Sequence, residues 1–233
     1  MRKKLIYLFI LGALVIGLTG CGGKDSKATS TGTNTSSGTN TNNSKTQQKT
    51  SSDLEKKIKS IGAVTDSGKI VVFATNGNDV AVDMKIEVEF YDANGTIVSS
   101  DSDDLRAVGA NSEIAVEMWS TPEAFDNYKI YVDVEQTKEI SYFDKLELVH
   151  NNNGNEIAVQ AKNNSDDTIE FISVSVVYYQ GDKVVGYDDG IQSDIKPGRS
   201  ANFTLNFPYN REYDNVNFDN YKVFITEAYK YNW

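Results

Sequence analysis

Cysteine occurs once in the 233 residues, at Cys21, and histidine once, at His150. One cysteine closes no disulfide within the chain, so a folded part must rest on its hydrophobic core. A lone histidine has no obvious second group to work with. It stands beside Asn151–Asn155, a turn signal, and is read there as solvated rather than as a base or ligand. No Gly-x-Ser-x-Gly, His-Glu-x-x-His or phosphate-binding glycine loop occurs. Positive charge is also scarce, 23 Lys and Arg against 33 Asp and Glu. That balance opposes nucleic-acid binding and spreading on an anionic membrane, both of which need a basic footprint. The apolar run Leu5–Leu18 is too short for a comfortable membrane span.

The chain begins with that run. Arg2, Lys3 and Lys4 precede it, and Leu18-Thr19-Gly20-Cys21 closes it. Charge, apolar stretch, small residues and cysteine in this order resemble the lipobox of bacterial lipoproteins. The resemblance implies cleavage before Cys21, a diacylglycerol thioether on its sulfur, and a chain anchored to a membrane rather than spanning it. With three basic residues removed, 20 remain against 33 acidic ones, so the mature chain carries 20 − 33 = −13. Gly22 to about Thr50 is Ser, Thr, Asn, Gly, Gln and Lys with one acidic residue, Asp25, and Ala28 its only apolar residue. Such a segment cannot offset its ordering entropy and is expected to be a disordered tether. Its root-mean-square reach would be roughly 30 Å. Fully stretched it would span about 100 Å.

Past the tether, Ser52-Asp53-Leu54-Glu55 fits a capping box, and Leu54, Ile58 and Ile61 follow helical spacing, predicting a short helix that stops by Gly62. From Ala63 the period becomes that of strands. Lys69–Thr75 is β-branched and aromatic. Val82, Met84, Ile86, Val88 and Phe90 alternate with polar residues, the cleanest half-buried strand in the chain. Asp92-Ala93-Asn94-Gly95 turns that strand back. Ser100–Asp104 reads as an acidic loop, Leu105–Val108 and Ile114–Trp119 as short strands, and Lys129–Glu135 as the last strand of this unit.

The same programme then runs again. Glu156–Lys162 is followed by an Asn-rich turn, and Phe171–Tyr179 parallels Asp83–Tyr91. Asp219-Asn220-Tyr221 parallels Asp126-Asn127-Tyr128. The period of roughly 87 residues is too long for a solenoid or propeller blade and suits a small sandwich of about seven strands. The second copy carries a longer loop, Pro208–Phe218.

Phe90-Tyr91-Asp92 with Gly95, the Asn-rich turns and the closing Asp-Asn-Tyr strand resemble the FxLYD-type domain of bacterial surface lipoproteins, an immunoglobulin-like or fibronectin-like sandwich. The second copy departs from it, with Tyr178-Tyr179-Gln180-Gly181. The resemblance covers most of residues 60–233 and implies a non-enzymatic extracytoplasmic module, with no catalytic residues to carry over. The expected fold is all-β: two tandem immunoglobulin-like β-sandwich domains, residues 53–138 and 139–233, after a signal peptide (1–20) and a lipidated, disordered linker (21–52).

Three kinds of site are candidates. Asp101, Asp103 and Asp104, with Asp166-Asp167 and Asp188-Asp189, supply oxygens of the kind calcium prefers, but in no EF-hand spacing, and solvated acidic turns are the expected outcome. Among 13 Tyr, 10 Phe and 2 Trp, strand residues such as Phe73, Tyr131, Tyr178, Phe203 and Phe207 are expected to pack. Tyr128 and Tyr221 are expected to play a tyrosine-corner role. That leaves Trp119, Trp233 and the loop residues Tyr209, Arg211 and Tyr213 as a surface for a partner. Loops on rigid sandwiches carry recognition, so Pro208–Phe218 is the favoured contact surface. The functional expectation is a non-catalytic binding or spacer module, lipid-anchored on the extracytoplasmic face of the cell membrane. Its partner would be an envelope protein or glycan, with no cofactor. A glycan- or solute-binding lipoprotein using the loop aromatics is the alternative, and an envelope enzyme the third reading.

Overall fold

A computed structural model describes residues 51–233. The expected signal peptide, Cys21 and the expected linker up to Thr50 lie outside the described residues, and the last two linker residues, Ser51 and Ser52, begin a helix instead. The fold is all-β. Among the described residues the one α-helix, α1 (Ser51–Glu55), is a single turn, and the strands pair antiparallel.

The first half holds β1 (Ile58–Val64), β2 (Ile70–Asn76), β3 (Val82–Tyr91), β4 (Ile97–Val108), β5 (Ser112–Met118) and β6 (Asn127–Gln136). They form two three-stranded sheets, ordered β1-β2-β5 and β4-β3-β6. The alternation in β3 does what its sequence requires: Met84, Ile86, Val88 and Phe90 are buried. They meet Ile70, Val72, Ala74, Ile114, Val116 and Met118 from the other sheet. Leu54 of α1 closes the end of this core.

The second half repeats the arrangement. A two-residue strand β7 (Ile140–Ser141) and a short 3-10 turn lead into β8 (Leu146–Asn152), β9 (Glu156–Asn163), β10 (Ile169–Gln180), β11 (Lys183–Ile195), β12 (Ser200–Asn206) and β13 (Asn220–Lys230). The sheets are β12-β9-β8 and β11-β10-β13-β7. Strand for strand, β8–β13 are paired as β1–β6 are. Ile157, Val159, Ala161, Phe203 and Leu205 pack on Ile172, Val174, Val176 and Tyr178.

A third core joins the halves. The outward faces of β2 and β5 present Val71 and Ala115, which meet Val177, Val184 and Phe224 from β10, β11 and β13. Phe73 and Phe224 lie 6.0 Å apart, ring to ring. The four sheets therefore stack in the order β4-β3-β6, β1-β2-β5, β11-β10-β13-β7, β12-β9-β8, with apolar side chains in all three gaps. Polar contacts rim the middle gap. Ser175 donates to the carbonyl of Ala115 (3.0 Å) inside it, Lys222 pairs with Glu113 (2.5 Å), and Lys183 pairs with Asp66.

Several local expectations are corrected. The helix ends at Glu55, and Ile58 and Ile61 belong to β1, because β1 pairs along its whole length with β2, from Ile58–Asn76 to Val64–Ile70. A full ladder outweighs a few residues of helical spacing. Ser100–Asp104 is not a loop: it continues β4 unbroken to Val108, opposite β3. His150 lies on β8, not in a turn, with Nδ1 3.2 Å from the Tyr221 hydroxyl. Tyr131 does not pack. Tyr128, Ile130 and Val132 take the inner face of β6, so Tyr131 is left outside, 45% exposed. Tyr128 and Tyr221 do not form tyrosine corners: the Tyr128 hydroxyl donates to the Gly62 carbonyl (2.8 Å) on β1 of the facing sheet, and the Tyr221 hydroxyl meets His150 instead of local backbone.

Candidate functional site: a groove where the two halves meet

The longer loop between β12 and β13 is built from its aromatic roots upward. Phe207 and Phe218 stand at its two ends, 5.0 Å apart, and Phe218 packs on Tyr178 at 4.8 Å. Pro208 is buried against Gly186 so closely that a Cβ there would strike the proline ring. The anchored ends let the tip close on itself. Val216 N–H donates to Pro208 O (2.9 Å), and Asn210 N–H to Asp214 O (2.9 Å).

Asn210 then organises the tip. Its Oδ1 accepts the N–H groups of both Glu212 and Asp214, each at 2.9 Å. Asparagine side chains make such local turns because the amide oxygen mimics a backbone carbonyl. The turn forces Tyr213 into the left-handed region, φ +64°. A bulky residue there is a genuine outlier. Its ring stacks on Tyr209 at 5.6 Å and 21°, and remains 82% exposed. The loop thus holds an aromatic face rigidly out in water at a conformational cost, and strain of this kind gathers at functional positions.

Arg211 ties the loop to the first half. Its guanidinium donates to Glu123 O (2.9 Å) and lies over Gly68, where any Cβ would strike it. Gly68 has φ +83°, a turn geometry that favours glycine. Lys69 next to it donates to the Trp119 carbonyl. Together the turn Ser67–Lys69, the segment Thr121–Glu123 and the loop Tyr209–Tyr213 enclose an open groove of about 430 Å³. Its walls combine tyrosine faces with fixed amide, hydroxyl and cationic groups, the mixture that small-molecule and carbohydrate sites use.

Of the residues expected to bind a partner, Tyr209, Arg211 and Tyr213 line this groove. Trp119 follows β5 directly, is exposed, and offers its carbonyl to Lys69. Trp233 is fully exposed beside Tyr231 (5.2 Å), past the C-terminal end of β13, whereas the groove loop leads into its N-terminal end. The two are not brought together. Gly68, Lys69, Thr121, Glu123 and Asn210 were not singled out from sequence. Asn210, in a loop with turn composition, and Gly68, in the turn signal Thr65-Asp66-Ser67-Gly68, carried a local signal.

Burial raises several carboxylates on the strands. Glu117 on β5 is pushed up to about 7, by burial first, with Lys69 opposing and Asp189 and Asp188 adding. Glu227 on β13 is also raised to about 7 by burial, although the Arg106 N–H donates to it at 2.7 Å. Burial likewise raises Asp103, Asp188 and Asp189. The cation candidates Asp101 and Asp103 share one face of β4, and strand alternation turns Asp104 to the other. Among the described residues no group of three or more His, Cys, Asp or Glu is arranged to hold a metal ion.

No family model matches the chain. No curated protein matches it either.

Proposed function

We propose that this chain is a lipid-anchored, extracytoplasmic binding module without catalytic activity, and that the groove between the Ser67–Lys69 turn and the Tyr209–Tyr213 loop is where it meets its ligand. The observation that carries the reading is Tyr213: an exposed aromatic ring, held in a left-handed backbone conformation by Asn210 and stacked on Tyr209. A rigid aromatic face loses little entropy on binding, so such residues act as anchors. The anchoring half of the proposal rests on the Arg2–Cys21 pattern and on the resemblance to FxLYD-type lipoprotein domains. An acidic chain on a tether is held at the membrane by its lipid, not by its charge. The stacked tyrosines beside Asn210 and Thr121 favour a glycan of the envelope over an apolar solute, since sugars offer both a C–H face and hydroxyl groups.

Two measurements test the two halves of this reading. Cys21→Ser should move the protein from the membrane to the soluble fraction, and retention in the membrane fraction removes the anchor. The full chain should co-sediment with insoluble cell-wall polysaccharide, and Tyr209→Ala with Tyr213→Ala should lose about ten-fold or more in affinity, the scale of one or two anchor residues. Equal sedimentation of wild type and variant removes the groove.

A further inference from the structure

Strand β6 forms the end of its sheet, and among the described residues nothing pairs with its outer edge. The edge is long, and its ladder to β3 runs without a bulge from Val82–Gln136 to Tyr91–Asn127. It holds neither proline nor glycine. Exposed edges are normally blunted by such devices, because free N–H and C=O groups recruit another strand. The corresponding strand β13 differs, since β7 pairs with its C-terminal end through Tyr229–Ser141 and Lys230–Ile140.

The side chains on the outer face of β6 show which strand would fit. Lys129, Tyr131 and Asp133 are exposed and evenly spaced, with Tyr131 central. Within the sheet, Lys129 stands opposite Glu89 and Asp133 opposite Lys85. An antiparallel copy of β6 centred on Tyr131 places Lys129 opposite Asp133 of the second copy, and Asp133 opposite its Lys129. Reading across four strands, the charges then alternate as Glu89, Lys129, Asp133, Lys85. Opposite charges directly across a ladder stabilise it, and like charges oppose it. A shift by one residue sets Lys129 against Val132 and mixes the two faces. A shift by two in one direction leaves Lys129 facing Tyr131. In the other direction Lys129 would face Glu135, which already stands opposite Asp83, so the alternation of charge is lost.

We infer that β6 is a self-association surface: two copies of this chain join antiparallel at β6, about Tyr131, to make one sheet ordered β4-β3-β6-β6-β3-β4. The stretch Lys129–Asp133 is short, and Ser51 and Glu55 of α1 lie beside its Asp133 end. The contact is therefore well below the roughly 1,200 Å² of a stable interface, and the pairing is weak and concentration-dependent.

Sedimentation equilibrium on the full chain carrying Cys21→Ser, which also removes its only thiol, should show a monomer–dimer equilibrium. Lys129→Asp should weaken dimerisation about ten-fold, because two attractive pairs become repulsive. Adding Asp133→Lys to that variant, together with Glu89→Lys and Lys85→Asp to keep opposite charges within the sheet, reverses every sign and should restore the wild-type constant, which also shows that the variants fold. In the same cysteine-free chain, Tyr131→Cys should cross-link to its counterpart on oxidation, since residues opposed at the axis lie within disulfide reach. Val132→Cys, with a counterpart two residues out of register, should cross-link poorly. A monomer at every concentration, a dimer indifferent to the charge swap, or faster cross-linking at Val132 than at Tyr131 each overturns the inference.

Discussion

Asn76 and Asn163 hold equivalent positions, at the ends of β2 and β9, and each is fully buried. Asn76 Nδ2 donates to the carbonyls of Val80 (3.0 Å) and Gly109 (2.8 Å), and Asn163 Nδ2 to those of Asp167 (2.8 Å) and Ile195 (2.7 Å). Each Oδ1 accepts the N–H two residues on, from Asn78 or Ser165. One side chain thus closes the turn into the next strand and ties it to the end of β4 or β11 in the opposite sheet. Aspartate cannot do this, because an ionised carboxylate donates nothing.

Replacing Asn76 by alanine should therefore strip the carbonyls of Val80, Val108 and Gly109 and the N–H of Asn78 of this partner, and replacing Asn163 those of Asp167 and Ile195 and the N–H of Ser165. The expected loss is about 2–4 kcal/mol, from the cost of unsatisfied buried groups. Urea unfolding of Asn76→Ala and Asn163→Ala should show similar losses, and a loss at one site only would end the equivalence.

Stability should fall as the pH rises from 4.5 to about 7. Glu117 and Glu227 have folded values raised to about 7 from 4.5. Between those limits the folded chain binds more protons than the unfolded one, so raising the pH favours unfolding. Asp103, Asp188 and Asp189, also raised, act in the same direction, while Asp92 and Asp167, lowered from 3.8, lose their contribution only at more acidic pH. The gain at pH 5 over pH 8 should be on the order of 1–3 kcal/mol. Glu117→Gln and Glu227→Gln together should flatten this dependence in thermal melts and raise the melting temperature at pH 8. A steeper profile in the double variant would contradict the assignment.

Tyr213→Gly should separate binding from folding. Glycine adopts φ +64° freely, so the left-handed cost of about 1 kcal/mol is relieved. The same change removes the exposed ring that stacks on Tyr209. The variant should unfold at equal or higher urea concentration than wild type and bind less. Lower stability would mean that the stacking contact outweighs the strain.

Much of this architecture is written in local pattern. The alternation from Val82 to Phe90 placed β3 and its buried face correctly, because a strand has a period of two whatever it packs against. The repeat, visible in Asp126-Asn127-Tyr128 and Asp219-Asn220-Tyr221, reappears as identical strand order in the two halves. Where local pattern and pairing disagreed, pairing won. Ile58 and Ile61 had helical spacing yet lie in β1, and the acidic residues 100–104 lie in β4, because a strand partner satisfies every backbone group.

The sequence by itself determined an all-β chain with two similar halves, the inner faces of its main strands, and the loop that sets the second half apart. Only the tertiary structure decided what that loop meets. Gly68 and Arg211 are 143 residues apart in the chain (211 − 68), and no periodicity links them. They touch because Val71, Ala115, Val177 and Phe224, on strand faces that would otherwise meet solvent, are buried against one another. Apolar burial has no direction of its own. The polar groove at its edge is the consequence of how two separately patterned sheets came to share one core.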